Sequence, residues 1–282
     1  MNLRLMKLAT AFFPLALFAA ACAAPTDTDR QDPAVSATSQ AFSGYSSWIW
    51  RVNDGGTAPA DLGSDTSQTC FLSGVGGNLK SLDAPGTPGN YAGSPEVNVF
   101  RQGGHYWLAV YSTDAGYSLE GQAKCIPTVQ GRTAVSTWST GHAAVNLGAA
   151  TSTRRCFLTS VRNDDTYFPS VESWAHDDDY VHVWSDGSDW WLGGNGHAMG
   201  SAACVDVNTG DGTWHWIAGT TGSYTQDLAY NSGGVQCLLT GIGGRFRTND
   251  WDDGIYTHYH GDTRQWVMTL DNAKQGWASC FE

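Results

Sequence analysis

The sequence predicts an all-β protein built from three tandem repeats, each closed by one disulfide. Three observations carry this. One short phrase is written three times: Cys70-Phe71-Leu72-Ser73-Gly74-Val75, Cys156-Phe157-Leu158-Thr159-Ser160-Val161 and Cys237-Leu238-Leu239-Thr240-Gly241-Ile242. A second cysteine follows each phrase at a similar distance, at Cys125, Cys204 and Cys280. The composition, with 34 Gly, 13 Trp and only 15% charged residues, suits strands and tight turns rather than charged helical faces.

Taken in order, the chain opens with Arg4 and Lys7, followed by an uncharged apolar run from Leu8 to Ala21. At about 14 residues the run is short for a membrane span and reads as a signal peptide over residues 1–21. It ends Phe18-Ala19-Ala20-Ala21-Cys22, which resembles the lipobox of bacterial lipoproteins, with Ala19 where that pattern prefers Leu. The resemblance implies lipidation at Cys22. Ala23 follows the cysteine in place of a retention signal, which in a Gram-negative cell implies the outer membrane. Ordinary secretion is the alternative. From Ala23 to Ala41 the chain is Pro, Thr, Ser, Asp and Gln with almost nothing apolar. It cannot bury enough surface to offset its chain entropy, so residues 22–41 are expected to form a disordered tether reaching roughly 25 Å.

Residues 42–282 are expected to hold the repeats, at about 42–128, 129–208 and 209–282. Each opens on an aromatic or β-branched strand: Trp48-Ile49-Trp50, Val135-Ser136-Thr137-Trp138, Trp214-His215-Trp216. The cysteine phrase comes next, then an alternating strand, a Gly- or Asp-rich turn and a Trp-bearing strand. Matching the alternating strands places Val99, Val183 and His258 together, each with a Trp eight residues on, at Trp107, Trp191 and Trp266. The last landmark is the second cysteine.

An exported chain keeps its disulfides. Six cysteines allow fifteen pairings, and the repeat selects Cys70–Cys125, Cys156–Cys204 and Cys237–Cys280. Chain entropy gives each bridge about 3–4 kcal/mol. No CxxC or CxxH spacing suggests a redox or zinc site. Three such units are expected to close around a pseudo-threefold axis, as in a β-prism or trefoil-like body. A row of beads or blades is the other arrangement.

With 15 Lys and Arg against 27 Asp and Glu, the formal net charge is -12. That disfavours nucleic acid and anionic lipid, which need a cationic footprint. Membrane contact is therefore expected through the lipid anchor alone. His258-Tyr259-His260-Gly261-Asp262 resembles half of a metallo-β-lactamase metal motif, but Thr263 stands where that motif has His, and strand and turn roles suit these residues better. Only a few Glu are present and no acid pair is singled out for glycoside hydrolysis. No GxSxG elbow or HExxH is present either. The chain is thus expected not to be an enzyme.

Two loops concentrate aromatic and acidic residues: Trp174 with Asp177, Asp178 and Asp179, and Trp251 with Asp252 and Asp253. A flat indole stacks on a pyranose while carboxylates accept its hydroxyl hydrogens, so these seven residues are the expected ligand site. Clustered carboxylates also suit Ca²⁺, the one cofactor the composition invites. The expected function is a surface or secreted binding module for a cell-surface glycan or protein. The alternative is a structural or protein-interaction domain whose Trp residues are all core; a secreted hydrolase comes third.

Overall fold

The computed structural model describes residues 40–42, 45–52, 58–79, 95–111, 118–163, 174, 176–207, 210–217, 222–230, 234–248, 250, 253–272 and 274–281. The chain divides into two units, Met1–Ala34 and Val35–Glu282, and every described residue belongs to the second. The leader, Cys22 and the tether up to residue 39 lie outside the described residues. Gln40 and Ala41, expected at the end of the tether, pair as strand with Ser47 and Ser46.

All the regular elements described are strands. The first repeat supplies β1 (Gln40–Phe42), β2 (Tyr45–Val52), β3 (Ala60–Ser64), β4 (Thr69–Gly77), β5 (Glu96–Gln102), β6 (His105–Tyr111) and β7 (Leu119–Ile126). The second supplies β8 (Ser136–Ser139), β9 (Val145–Ala149), β10 (Arg154–Asn163), β11 (Tyr180–Ser185), β12 (Asp189–Asn195) and β13 (Ala198–Asp206). The third supplies β14 (Gly210–Ile217), β15 (Ser223–Tyr230), β16 (Gln236–Gly244), β17 (Gly254–His260), β18 (Gln265–Asp271) and β19 (Lys274–Phe281).

These strands form three antiparallel sheets, and each sheet is shared between two repeats. Sheet one runs β1-β2-β7-β4-β17-β18-β15, sheet two β3-β6-β5-β10-β13-β8, and sheet three β14-β19-β16-β11-β12-β9. One half of every sheet is an opening strand with its two cysteine strands. The other half is a hairpin and an outer strand lent by a different repeat. The first repeat lends to the second across β5–β10, the second to the third across β11–β16, and the third back to the first across β17–β4. The exchange is therefore cyclic. The three disulfides form as expected, and each joins directly opposed residues of paired strands. They place the chain in an oxidising, exported compartment.

The cysteine phrases read as nearly continuous apolar runs because both their faces are covered. All nine residues of β4 and of β16 are buried. Cys70 and Leu72 point into the main core with Cys156, Leu158, Cys237 and Leu239. The residues between them, Phe71, Phe157 and Leu238, join a second cluster with Ile126, Ala203, Val205 and Phe281. There Phe71 and Phe157 lie 5.1 Å apart, and Phe157 and Phe281 5.3 Å. The strands β4, β10 and β16 touch one another pairwise, so this cluster marks the pseudo-threefold axis. Burying each such side chain contributes about 1.5–3 kcal/mol. Each of the three strands also carries a bulge at the same place, after Leu72, Leu158 and Leu239. The extra residues are Ser73, Thr159 and Thr240, all buried.

The strand ladder corrects one alignment. Gly74, Ser160 and Gly241 stand opposite Tyr256, Asn98 and His182. The partner of Val99 and Val183 is therefore Thr257, and His258 matches Phe100 and Trp184. The constant spacing of eight is a coincidence, because the third hairpin turn, Gly261 to Arg264, is longer than Gly103-Gly104. By register, Trp266 matches Trp190 and Tyr106, and all three are buried. A further repeated phrase supports this: Asp61-Leu62-Gly63, Asn146-Leu147-Gly148 and Asp227-Leu228-Ala229 each put a bulged, buried Leu in the outer strand.

Candidate functional site

One rung of the ladder crosses each sheet at equivalent positions of the opening, second-cysteine, first-cysteine and hairpin strands. On sheet one it reads Ile49, Gln122, Gly74, Tyr256. On sheet two it reads Thr137, Ser201, Ser160, Asn98. On sheet three it reads His215, Trp277, Gly241, His182. The backbone scaffold is the same; the side chains on it are not.

On sheet three the rung is filled by rings. His215 stacks on Trp277 at 4.3 Å and 3° between planes, and His182 meets the same indole edge-on at 5.1 Å. Tyr180 adds a third contact to Trp277 at 5.7 Å. Gly241 leaves room for this, since a Cβ there would lie 2.9 Å from the Trp277 ring. Burial, and then the neighbouring His215, pull the His182 imidazole down to about 4, so it is neutral in this packing at physiological pH. On sheet one the Tyr256 ring covers Gly74.

On sheet two the same rung carries two serines, a threonine and an asparagine. Short side chains cannot fill what rings fill, and a cavity of about 480 Å³ remains over them. Thr137 and Ser201 hydroxyls are 2.8 Å apart. The Phe100 ring supplies an apolar wall, and Glu96, Arg101, Arg132 and Arg162 are the charged residues of the lining. Glu96 stands across the ladder from Arg162. Burial pushes the Glu96 carboxyl up from its ordinary range, and the Arg162 charge opposes that shift. Thr159 is the bulged residue of β10. Its hydroxyl is buried with no hydrogen-bond partner among the described residues. An unmade bond of that kind costs about 1–3 kcal/mol, and the equivalent bulged hydroxyl of Thr240 on sheet three is buried in the same way.

The residues expected to bind ligand gather around Phe246 and Lys274, where most of those described are committed to contacts within the protein. Trp174 is fully buried. Its indole N–H donates to the Arg162 carbonyl at 2.9 Å and its ring meets Phe246 edge-on at 5.5 Å. It therefore offers no stacking face, which corrects the expectation placed on it. The Asp179 carboxylate is also buried and accepts backbone N–H groups of His176 and His197 at 3.0 and 2.9 Å, tying its loop to the β12–β13 turn. Asp253 is buried against Lys274, with a hydrogen bond from Thr248 at 2.5 Å. Asp177 is exposed and ion-paired to Arg245 at 2.8 Å, and Asp178 is exposed. Trp251 and Asp252 lie outside the described residues. Among the described residues no three His, Cys, Asp or Glu side chains converge as a metal-binding group. His260 and Asp262 are exposed at the third hairpin turn, whereas burial and the Lys124 and His260 charges hold His258 near 4.

Of the seven loop residues, Trp174, Asp179 and Asp253 are buried, whereas Asp177 and Asp178 face solvent. The cavity lies on the one sheet whose rung lacks rings, a signal visible only once the strands of two repeats are in register. No protein-family model matches the chain, and no curated protein matches it.

Proposed function

We propose that this chain is a non-enzymatic binding module of the cell exterior, tethered through a lipid on Cys22, and that its ligand is a carbohydrate held in the cavity of sheet two. The observation that carries this reading is the cavity of about 480 Å³, floored by Thr137, Ser201, Ser160 and Asn98 and walled by Phe100. Hydroxyls and an amide exchange hydrogen bonds with sugar hydroxyls, while an aromatic wall takes the apolar face of the ring.

The test follows from the sister sheet, where Trp277 fills the equivalent position. Ser201→Trp is expected to occupy the cavity and lower glycan affinity more than tenfold in array and calorimetric measurements on the oxidised protein, without loss of melting temperature. Unchanged affinity in that variant would move the site elsewhere on the molecule. Absence of glycan binding by the wild-type chain would favour a protein partner instead. The exposed Tyr224 and Tyr230 on edge strand β15 are the surface that supports that second reading.

A further inference from the structure

The charge of the cavity is opposite to that of the chain. The protein carries a formal net charge of -12. Yet three arginines, Arg101, Arg132 and Arg162, line the cavity, and Glu96 is the one acid among its described lining residues. Arg101 is neutralised locally: its Nε and Nη2 both donate to Asp65 Oδ2, at 2.9 and 2.5 Å. The other two make no such contact, although Glu96 stands across the ladder from Arg162. Arg132 donates through Nη1 to the backbone carbonyls of Asp65 and Gln68 at 2.7 and 3.5 Å, and the Arg162 Nε lies on the Met199 sulfur at 2.8 Å. Neither makes an ion pair with a carboxylate among the described residues. Two guanidinium groups therefore face a single acid.

We propose, building on the reading of this cavity as a carbohydrate site, that its ligands are acidic saccharides, with a ring carboxylate of the uronate type set against Arg132 and Arg162. A guanidinium fork matches a carboxylate in plane and in donor spacing. The hydroxyl rung from Thr137 to Asn98 then takes the ring oxygens. The net negative charge of the remaining surface repels anions at long range, so recognition has to come from close contact with these two side chains. Glu96 works against the anion and sets the limit on its affinity.

The test is an NMR titration of the oxidised full chain with matched pairs that differ only at C6, glucuronate against glucose and galacturonate against galactose. At least one uronate is expected to bind tenfold or more tightly than its neutral partner. Arg162→Gln and Arg132→Gln should each cost about tenfold for the uronate and little for the neutral sugar. Glu96→Gln should strengthen uronate binding several-fold. Melting temperature separates lost recognition from lost structure, and Arg162→Gln is the decisive variant because Arg132 also braces the Asp65 turn. Neutral sugars binding as tightly as uronates would overturn the acidic preference and leave the carbohydrate reading standing. Uronate affinity indifferent to both arginine variants would also overturn it. No shift with any of the four sugars would overturn this proposal and the carbohydrate reading together.

Discussion

At the scale of single residues, three of the acidic and aromatic side chains conspicuous in the sequence, Trp174, Asp179 and Asp253, serve the interior. Lys274 is fully buried and its ammonium meets Asp253, itself 5% exposed, beside the Phe246 ring. Burial lowers the Lys274 pKa, and the Asp253 carboxylate resists that shift. Breaking a buried pair strands a charge, whereas replacing both partners with apolar groups is often neutral. Lys274→Met is therefore expected to cost about 3–5 kcal/mol in urea unfolding, and the double variant with Asp253→Leu to recover much of it. Two half-buried imidazoles give a pH dependence. His182 and His258 are held near 4 against an ordinary value of 6.5, chiefly by burial. Above pH 6.5 they are neutral both folded and unfolded. As pH falls from 6.5 toward 4 the unfolded chain takes up protons that the fold refuses, so stability drops, and below 4 the loss levels off. The upper bound is about 3 kcal/mol for each. Glu96 and Asp271, raised by burial, act in the opposite sense. Unfolding midpoints of wild type and of His182→Gln with His258→Gln at pH 7 and pH 4.5 would measure the difference. A fall in midpoint between pH 7 and pH 4.5 as large in the double variant as in wild type would refute the contribution of both rings.

At the scale of elements, one strand pattern is used three times and filled differently. The rung on sheet three is closed by Trp277 over Gly241, and that on sheet two stays open over Ser160. Removing the ring should therefore reproduce the cavity. Trp277→Ser is expected to lose about 3–5 kcal/mol, as truncation of a packed Trp does, and to open a pocket on sheet three that binds a small aromatic or saccharide probe. A crystal structure of the variant showing collapsed rings in place of a pocket would count against the equivalence of the rungs. The bulges belong to this scale too. They carry Ser73, Thr159 and Thr240 inward at equivalent points, and all three are buried. At strand ends the backbone imposes its own demand. Gly77 and Gly244 adopt φ of 91° and 96°, where a side chain is strained, and a Cβ at Gly77 would strike the Ser118 carbonyl.

At the scale of the whole molecule, the fold is a closed cycle. No repeat owns a complete sheet, because each lends its hairpin to another. The axial cluster takes Phe71 from the first repeat, Phe157 from the second, and Leu238 and Phe281 from the third. A chain ending at residue 208 would leave β4 without β17 and the axis without Leu238 and Phe281. It is expected to lose cooperative unfolding and to bind a hydrophobic dye. A sharp melting transition in that truncated chain would mean that the repeats fold independently. The long-range pairings also imply slow folding, since closing loops of 43 to 55 residues precedes their reward.

The all-β class, the three repeats and the three disulfides were legible in the sequence alone. Apolar phrases, turn residues and cysteines recur with the chain, and both hydrophobic burial and disulfide pairing leave a local, periodic mark. The exchange of hairpins was not legible, because a hairpin has the same sequence whichever sheet it joins. Nor was the site. Trp174 and Asp179 look like a binding loop until their burial is known, and Thr137, Ser201, Ser160 and Asn98 look unremarkable until one rung brings them together. Tertiary structure decided both, because a cavity is defined by what neighbouring strands fail to fill, and those neighbours are distant in the chain.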